Sequence, residues 1–352
     1  TVQVRTRKTA PFYCFLQLER QRRITMRDLI VKQVDAFTTH PFGGNPAGII
    51  TNGDGLRPEE MMNIASEMNL SETAVVTLPE SMDTDFRIRF FTPTKEVDLS
   101  GHPIIAATWA LLEDGRIDVS DGVTTVNFGT NAGTIAVDLL FYSSDSPETG
   151  GDRIAVRNGL ACGELHRIMM HQSIREYVPA DIPVGEIADI LGIEESEITG
   201  TGLPMEIIST GLRQLMVPVR SKETVLGLNP DLIKLGLSNG KSGIQTNHIF
   251  TLDTFSEDCV SYARHFAPAV GMWEDPGTGT AAAGLGNYLL RHGIVTSGEM
   301  AMEQGNETSS LARIHVKVEE SMLDDGSALI GGLAVTSISR EISLRDGAVV
   351  IA

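Results

Sequence analysis

Two segments of the chain decide the fold: SGHPIIAATWALL at residues 100–112 and EDPGTGTAAAGLG at residues 274–286. Each begins with a glycine-containing turn and continues into a stretch that is apolar on almost every side. A helix of that composition is buried all round, because none of its faces favours water. The sequence therefore predicts two central helices, over residues 103–112 and 278–291, each enclosed by other elements.

The same short pattern precedes both helices. RFFTP at residues 89–93 ends eight residues before Gly101, and RHFAP at residues 264–268 ends nine residues before Gly277. The shared order of strand, turn and small-residue helix indicates a duplicated unit. We expect an α+β fold of two pseudo-symmetric halves, each a β-barrel-like sheet wrapped around its central hydrophobic helix.

Short β runs surround the two helices. The predicted strands are 30–37, 47–51, 73–78, 86–91, 123–128, 132–139, 153–157, 205–209, 214–219, 247–252, 259–266, 329–337 and 341–350. A polar-faced helix is predicted over 58–68, because Pro58 suits a first turn and the apolar residues recur at helical spacing. Another helix is predicted over 184–191.

The polar segment SSDSPETGGD at residues 143–152 is the best linker candidate, because nothing in it is cheap to bury. We predict an N-terminal half over residues 26–145 and a C-terminal half over residues 150–340. Residues 341–352 are expected to form a closing strand that packs back on the N-terminal half.

Residues 1–25 differ from the rest, with six Lys and Arg residues against the single acid Glu19. This basic leader is not expected to be part of the fold. The favoured interpretation is that Met26 is the natural start and that the preceding residues are foreign to the native protein. A mitochondrial transit peptide, which is also Arg-rich and poor in acids, stays open.

Composition excludes several classes of protein. The chain has 352 residues, 46 Asp and Glu against 28 Lys and Arg, and a formal net charge of −18, which disfavours nucleic-acid binding. No run approaches the roughly 20 apolar residues of a membrane span. The three cysteines are widely spaced and form no Cys-x-x-Cys pair, so we expect neither disulfides nor a zinc site, and a cytoplasmic location.

The starts of the two central helices are the predicted binding site. Backbone amides and the positive end of the helix dipole attract a small anion, and glycines at 101, 277 and 279 let a ligand approach the backbone. If the pseudo-symmetry brings the two helix starts together, the cleft between the halves becomes a site for a carboxylate. Plain helix capping is the alternative interpretation of each motif alone.

The acid–base candidates are few. Glu72 stands at a strand start, where burial would raise the pKa of its carboxyl towards catalytic use. His102, Glu274 and Asp275 flank the two glycine turns. Taken singly, Glu72 is compatible with an ordinary exposed acid, His102 with a packing histidine, and Asp275 with a helix cap.

Six motifs together resemble the phenazine-biosynthesis PhzF-like family. They occur in order from about residue 29 to the C-terminus: VDAF at 34–37, PFGGNPAG at 41–48, SET at 71–73, RFFTP at 89–93, GHP at 101–103 and EDPGTGT at 274–280. The resemblance implies the diaminopimelate epimerase fold, with two pseudo-symmetric halves and the active site between them. It also implies a homodimer.

The family's phenazine-forming members isomerise trans-2,3-dihydro-3-hydroxyanthranilate by moving a proton between ring carbons, without metal or organic cofactor. By this resemblance Glu72 is the acid/base, and His102 and Asp275 complete the catalytic set. Thr280 replaces the serine usual in those members, which narrows the pocket and leaves the substrate open. The predicted substrate-binding residues are Asn45, Ser71, Gly101, Gly277, Thr278, Gly279 and Thr280.

Two other functions are known for proteins of this fold, thiol-dependent racemisation and scaffolding. Racemases of the same fold use one thiol from each half, and the matching positions resemble Ser100 and Pro276, neither of which suits a two-base mechanism. A binding or scaffold protein on the same fold stays open, although a scaffold would not need Glu72, His102 and Asp275 together. No dinucleotide fingerprint and no metal-binding histidine pair is present, so a small carboxylated substrate without a cofactor is expected.

Overall fold

The structure is a computed structural model, and it describes residues 26–143, 151–158, 161–306, 310–345 and 348–351. The leader predicted at residues 1–25 and the half boundary predicted between residues 145 and 150 lie outside these ranges. Within the described residues, no helix is long and apolar enough to span a membrane.

Twenty strands are found within the described residues. In chain order they are β1 Met26–Ala36, β2 Asn45–Ile50, β3 Thr73–Thr77, β4 Phe86–Phe91, β5 Glu96–Val97, β6 Gly122–Thr130, β7 Gly133–Ser143, β8 Ile154–Arg157, β9 Cys162–Ser173, β10 Glu176–Pro179, β11 Glu206–Ser209, β12 Arg213–Pro218, β13 Thr246–Thr251, β14 Cys259–Ala267, β15 Met272–Asp275, β16 Gly298–Gln304, β17 Ala312–Val318, β18 Ser327–Gly332, β19 Ala334–Arg345 and β20 Ala348–Ile351.

Helices are fewer than strands within the described residues. They are α1 Pro58–Met68, α2 Gly101–Glu113, α3 Val184–Leu191, α4 Glu195–Thr199, α5 Lys222–Leu226, α6 Leu232–Ser242, α7 Gly279–Arg291 and α8 Glu320–Asp325. A single 3-10 turn, Pro268–Val270, lies between β14 and β15. Strands thus outweigh helices in this α+β chain, as predicted.

The strands pair into one continuous sheet that folds around two helices. Its order is β20–β19–β1–β2–β3–β4–β6–β7–β9–β18–β17–β16–β14–β13–β12–β11–β10, with β5 beside β4, β15 beside β14 and β8 beside β9. The first strands of this order surround α2 and the last surround α7.

The predicted duplication is confirmed by the strand order. The run β1–β2–β3–β4–β6–β7–β9 has pairings that are antiparallel, parallel, antiparallel, parallel, antiparallel and antiparallel. The run β11–β12–β13–β14–β16–β17–β18 repeats that succession. Each central helix lies between the fourth and fifth strands of its run, and each is thirteen residues long.

A matching ion pair marks the same place in both halves. Each arginine makes two hydrogen bonds of 2.7–2.8 Å to a glutamate on the next strand, and each guanidinium stacks on a phenylalanine two residues further along its own strand. The two sets are Arg89, Glu96 and Phe91, and Arg264, Glu274 and Phe266. The repeated pattern seen in the sequence is therefore a repeated structural unit.

The alignment of the two turns needs a correction. The sequence pattern paired Gly101 with Gly277, but α2 begins at Gly101 and α7 begins at Gly279, each five residues after the paired glutamate. The 3-10 turn at Pro268–Val270 lengthens the second connection and displaces the match by two residues. Ser100 therefore corresponds to Thr278 rather than to Pro276.

The central helix α2 is buried along almost its whole length, as its composition predicted. Twelve of its thirteen residues are buried. Its C-terminal end is held by Lys32 of β1, whose ammonium group lies 2.6 Å from Glu113 and 2.5 Å from Asp114. A cation at a helix C-terminus also complements the helix dipole.

The end of the chain differs from the prediction. Strands were expected over 329–337 and 341–350, but β18 ends at Gly332 and β19 runs without interruption from Ala334 to Arg345. The break falls at Leu333, whose carbonyl accepts hydrogen bonds from Phe37 and Thr38. The return to the N-terminal half thus begins at Ala334, which pairs with Ala36, rather than at residue 341.

Candidate active site

The starts of the two central helices lie side by side. A Cβ placed on Gly101, the first residue of α2, would lie 3.6 Å from the methyl group of Thr280 in the first turn of α7. The N-terminal ends of both helix dipoles therefore meet at the junction of the two halves, in the arrangement that an anion favours.

Glu72 lies beside this junction because of how β3 begins. The carbonyl of Glu72 accepts a hydrogen bond of 3.0 Å from the amide of Gly48, and the parallel pairing of β2 with β3 starts at the next residue. Its side chain is only 12% exposed, and its Oε2 has no hydrogen-bond partner within the described residues. Burial raises the pKa of this carboxyl, and a hydrogen bond with Ser71 opposes that rise.

His102 faces Glu72. Its Nε2 lies 3.6 Å from Glu72 Oε2 and 3.4 Å from the hydroxyl of Ser71. Burial lowers the pKa of this imidazole, and the charge of Asp275 and a hydrogen bond to the backbone of Pro46 act in the opposite direction. A neutral imidazole that donates one ring proton to the backbone of Pro46 has its other ring nitrogen available as a proton acceptor.

Asp275 is the third titratable group. It ends β15, and its carboxylate accepts hydrogen bonds of 2.7 Å from Asn45 and 2.5 Å from the hydroxyl of Thr278. Burial raises the pKa of this carboxyl, although the charge of His102 and the bond from Thr278 oppose the rise, and Glu72 adds to it. Asp275 is connected to His102 through neighbouring residues, because Asn45 bonds to Asp275 and His102 bonds to the backbone of the next residue, Pro46.

The turn before α7 is held by a buried glutamine that the sequence did not single out. The side chain of Gln304 donates to the carbonyl of Asp275 and to the hydroxyl of Thr278, and it accepts from the amide of Thr278 at 3.0 Å. Gln304 is 1% exposed at the end of β16. No signal in its own neighbourhood of the sequence could have found it.

Not every amide of the turn is available to a ligand. The amide of Thr278 is used by Gln304, so the predicted set of Gly277 to Thr280 loses one donor. Within the described residues, the amides of Gly279, Thr280, Gly101 and His102 bond to no protein group. These four donors belong to two different helices and flank the same junction.

The contacts bring the predicted residues into one site. Glu72 and Ser71 contact His102, Asn45 contacts Asp275 and the carbonyl of Gly277 at 2.8 Å, and Gly101 neighbours Thr280. Their roles in substrate binding and catalysis stay predictions.

The described cysteines do not occupy the positions that precede the two central helices. Cys162 is exposed at the start of β9, and burial raises the pKa of the Cys259 thiol to about 12. The residues that precede the two central helices are Ser100 and Thr278. Within the described ranges, the chain shows no group of three or more His, Cys, Asp or Glu side chains able to hold a metal ion.

The buried carboxyl of Glu72 should cost stability as the pH rises. In the folded protein the pKa of the Glu72 carboxyl lies above the ordinary value of 4.5. The carboxyl is therefore protonated in both the folded and the unfolded state at lower pH, and as the pH rises it ionises first in the unfolded chain. We therefore expect Glu72→Gln to raise the free energy of unfolding at about pH 8 relative to the wild type, and the gain to vanish below about pH 4.5. Urea denaturation across this range measures it.

The control for this measurement is Glu67→Gln, since Glu67 is exposed on α1. It should change the free energy of unfolding by no more than about 0.5 kcal/mol, as substitutions at exposed positions usually do. A Glu72→Gln gain that stayed constant or shrank with rising pH would contradict a raised pKa at Glu72.

The fold defines the chain as a two-half α+β protein of the diaminopimelate epimerase and proline racemase type, whose two central helices begin side by side at the junction of the halves. The chain belongs to the family described as phenazine biosynthesis-like protein, whose sequence model matches residues 34–340. This confirms the resemblance recognised in its motifs.

Named relatives support an isomerase function. A protein of Clostridium acetobutylicum named as an uncharacterized isomerase is 31% identical over 321 residues, covering 89% of this chain and 97% of the relative. The trans-2,3-dihydro-3-hydroxyanthranilate isomerase of Pseudomonas fluorescens is 30% identical over 292 residues, covering 81% and 89%.

A solved structure has the same architecture. The phenazine biosynthesis protein of the PhzF family from Bacillus anthracis superposes with a TM-score of 0.75 at 28% identity, covering 90% of this chain and 99% of that one. The hydroxyproline epimerase of Agrobacterium vitis, at 14% identity and a TM-score of 0.54, shares the fold.

Proposed function

We propose that this protein is a cofactor-independent isomerase that moves a proton between carbons of a small carboxylated substrate, with Glu72 as its single acid/base. The observation that carries the proposal is the state of Glu72. Its carboxyl is buried, has a raised pKa, and has an Oε2 that lacks a hydrogen-bond partner among the described residues and lies 3.6 Å from His102 at the start of α2. A structural carboxylate would be paired at such burial.

The substrate's carboxylate would lie between the two helix starts. The amides of Gly279 and Thr280 from α7, and those of Gly101 and His102 from α2, are available as donors and carry the positive ends of both dipoles. In a protein with a net charge of −18, these local dipoles supply the attraction that the overall charge does not.

The proton transfer then needs one group. Ionised Glu72 removes a proton from a carbon next to an unsaturated bond, and the electron pair of the broken C–H bond shifts along that bond. Protonated Glu72 delivers the proton to the distal carbon, where the new C–H bond forms. The product is an isomer, so no oxidant, reductant or second reactant is consumed.

His102 and Asp275 would orient the substrate and tune Glu72. The neutral imidazole of His102 lies next to the acid/base and can accept a hydrogen bond from a substrate hydroxyl or amino group. Asp275 is held between Asn45 and Thr278, so its position is fixed before the substrate arrives.

The substrate class follows from the pocket and from one relative. Trans-2,3-dihydro-3-hydroxyanthranilate, the substrate in the name of the Pseudomonas fluorescens relative, carries a carboxylate, an amino group and a hydroxyl group. Thr280 places a methyl group against the start of α2, which narrows the space beside the carboxylate site. A carboxylated substrate of similar or smaller size fits this proposal. A homodimer and a cytoplasmic location remain predictions.

The direct test uses deuterium. In D₂O, trans-2,3-dihydro-3-hydroxyanthranilate and smaller unsaturated amino or hydroxy acids should gain deuterium at the new C–H bond in those turnovers in which the protonated carboxyl of Glu72 exchanges with solvent before it delivers the proton, detected by mass spectrometry and NMR. The enzyme is used after exhaustive dialysis against a chelator. Retained turnover with deuterium at the new C–H bond supports the proposal.

The same assay can refute the proposed function. Turnover that is lost on dialysis and restored by a metal or an organic cofactor would exclude a single-glutamate mechanism. A product whose new C–H bond forms on the face of the substrate opposite to the C–H bond that was broken would exclude transfer by a single carboxyl.

A further inference from the structure

Phe37 has an unusual backbone that is held at both ends by the other half. It follows β1 with φ of +64°, a left-handed conformation that is an outlier for a bulky residue. Its amide donates to the carbonyl of Leu333 at 2.7 Å, and its carbonyl accepts from the amide of Arg313 at 2.8 Å. Such strain persists where the surroundings fix it, and here the fixing groups belong to the C-terminal strands.

The ring of Phe37 is seated on three glycines. A Cβ on Gly277 would lie 3.2 Å from its Cδ2, one on Gly279 would lie 3.2 Å from its Cζ, and one on Gly332 would lie 3.4 Å from its Cδ1. These approaches are closer than ordinary side chains allow, so the ring packs on bare backbone. Phe37 is 0% exposed in this seat.

Two of the three glycines belong to the turn that would bind the substrate. Gly277 and Gly279 flank Thr278, and the amide of Gly279 is one of the available donors. Asn45, which opens β2 on the same N-terminal segment, donates to the carbonyl of Gly277 and to the carboxylate of Asp275. The N-terminal half therefore contacts this turn through the ring of Phe37 and the side-chain amide of Asn45.

We propose that Phe37 is a positioning residue, whose ring sets the place of the Gly277–Thr280 turn relative to Glu72 and His102 in the opposite half. The proposal rests on the function proposed above. Glu72 and His102 come from the N-terminal half, whereas the turn comes from the C-terminal half, so their separation depends on the contacts between halves. The packing of the Phe37 ring against Gly277 and Gly279 is such a contact.

The test compares two buried phenylalanines of equal size. Phe37→Leu shortens the side chain, so it no longer reaches Gly279, while Phe128→Leu makes the same change in β6. Phe128 is also 0% exposed, but it stacks on Phe86 within the N-terminal half. Phe37→Met is the rescue variant, because an unbranched methionine reaches nearly as far as the ring and adapts to irregular space.

Two readouts are measured on the full-length protein. The first is amide hydrogen exchange of residues 276–281, which does not depend on any activity. The second is turnover together with binding of anthranilate, used as the carboxylate probe. We expect Phe37→Leu to speed exchange of this segment about tenfold or more, while the exchange of β6 and β7 stays unchanged.

For catalysis, Phe37→Leu should lower kcat about a hundredfold, because a small displacement of a donor costs more than its contact energy. Phe128→Leu should lose stability without a selective change in residues 276–281, and its kcat should fall by less than about threefold. Phe37→Met should recover most of the protection and most of kcat. If Phe37→Leu does not fold, Phe37→Met carries the comparison.

The inference is overturned if Phe37→Leu and Phe128→Leu change exchange and kcat alike, or if Phe37→Met gives no recovery beyond Phe37→Leu. Its failure differs from failure of the proposed function. Wild-type protein that neither binds anthranilate nor isomerises any acid would refute that function, whereas the exchange of residues 276–281 would still report whether Phe37 holds the turn.

Discussion

Replacing Glu72 by glutamine should lower turnover by about 10²–10⁴-fold, the usual contribution of a positioned acid/base. The amide has nearly the shape of the carboxyl but cannot accept a proton. Since Oε2 has no hydrogen-bond partner in the described residues, the substitution breaks no bond to that atom. The fold and the carboxylate site on the two helix starts should therefore persist.

The measurement is the deuterium assay combined with calorimetric binding of anthranilate to wild-type protein, Glu72→Gln and the exposed control Glu67→Gln. In the wild type, kcat/KM should rise with pH through the raised pKa of Glu72, because the ionised carboxylate is the form that removes the proton. This limb should be absent from any residual activity of Glu72→Gln.

A binding or scaffold protein on the same fold gives a different result. If no small acid is turned over by the wild type while anthranilate or a protein partner still binds equally to both variants, Glu72 has no chemical role. If Glu72→Gln retains wild-type kcat, the acid/base lies elsewhere in the cleft.

The elements with a clear period could be predicted from sequence. Helices over 58–68 and 184–191 were predicted with the bounds that the structure gives α1 and α3. The two central helices were recognisable because α2 is buried on all sides, which requires an apolar surface all round.

Elements at the junction of the halves could not be predicted in this way. β9, over Cys162–Ser173, was missed, although it pairs with β7 on one side and with β18 on the other. It lies between the two halves and buries residues of both faces, so its sequence GELHRIMMHQ shows no alternation. β16 and β17 were missed as well.

The site was predictable as separate motifs but not as a geometry. Glu72, His102 and Asp275 lie more than 200 residues apart at the extremes, and only the duplicated strand order shows why they meet. Gln304 holds the turn from a strand with no distinctive pattern. The register of the two turns was displaced by the 3-10 turn at Pro268–Val270, which has no counterpart between β4 and β5.

The same arginine–glutamate pair occurs in both halves, so its two copies can be compared by the same substitution. Arg264→Ala should destabilise the fold far more than Arg89→Ala. The guanidinium of Arg264 is 9% exposed, pairs with Glu274, and also donates to the carbonyls of Val225, Leu226 and Leu228. Its removal leaves a half-buried carboxylate and three carbonyls without their donor, which costs about 3–5 kcal/mol.

Arg89 makes the same bidentate pair with Glu96, but both side chains are more exposed, at 21% and 28%. Besides stacking on Phe91, its guanidinium contacts the sulfur of Met61 and donates to no backbone carbonyl among the described residues. We expect Arg89→Ala to cost about 1 kcal/mol, the upper end for exposed pairs. Urea denaturation at pH 7 measures the free energy of unfolding that each of the two variants loses. Equal losses would show that burial does not distinguish the two pairs.

A second variant separates the lost charge pair from the lost packing. Arg264→Ala combined with Glu274→Ala removes the stranded carboxylate, so it should recover part of the stability that Arg264→Ala loses, since breaking one partner is costlier than removing both. No recovery would mean that the three carbonyls dominate. Because Glu274 precedes Asp275 on β15, Arg264→Ala should also disturb the Asp275 carboxylate, and the double variant should not restore its turnover. The double variant would then recover part of the stability but not the activity, because the pair of Arg264 and Glu274 both stabilises the sheet and positions Asp275.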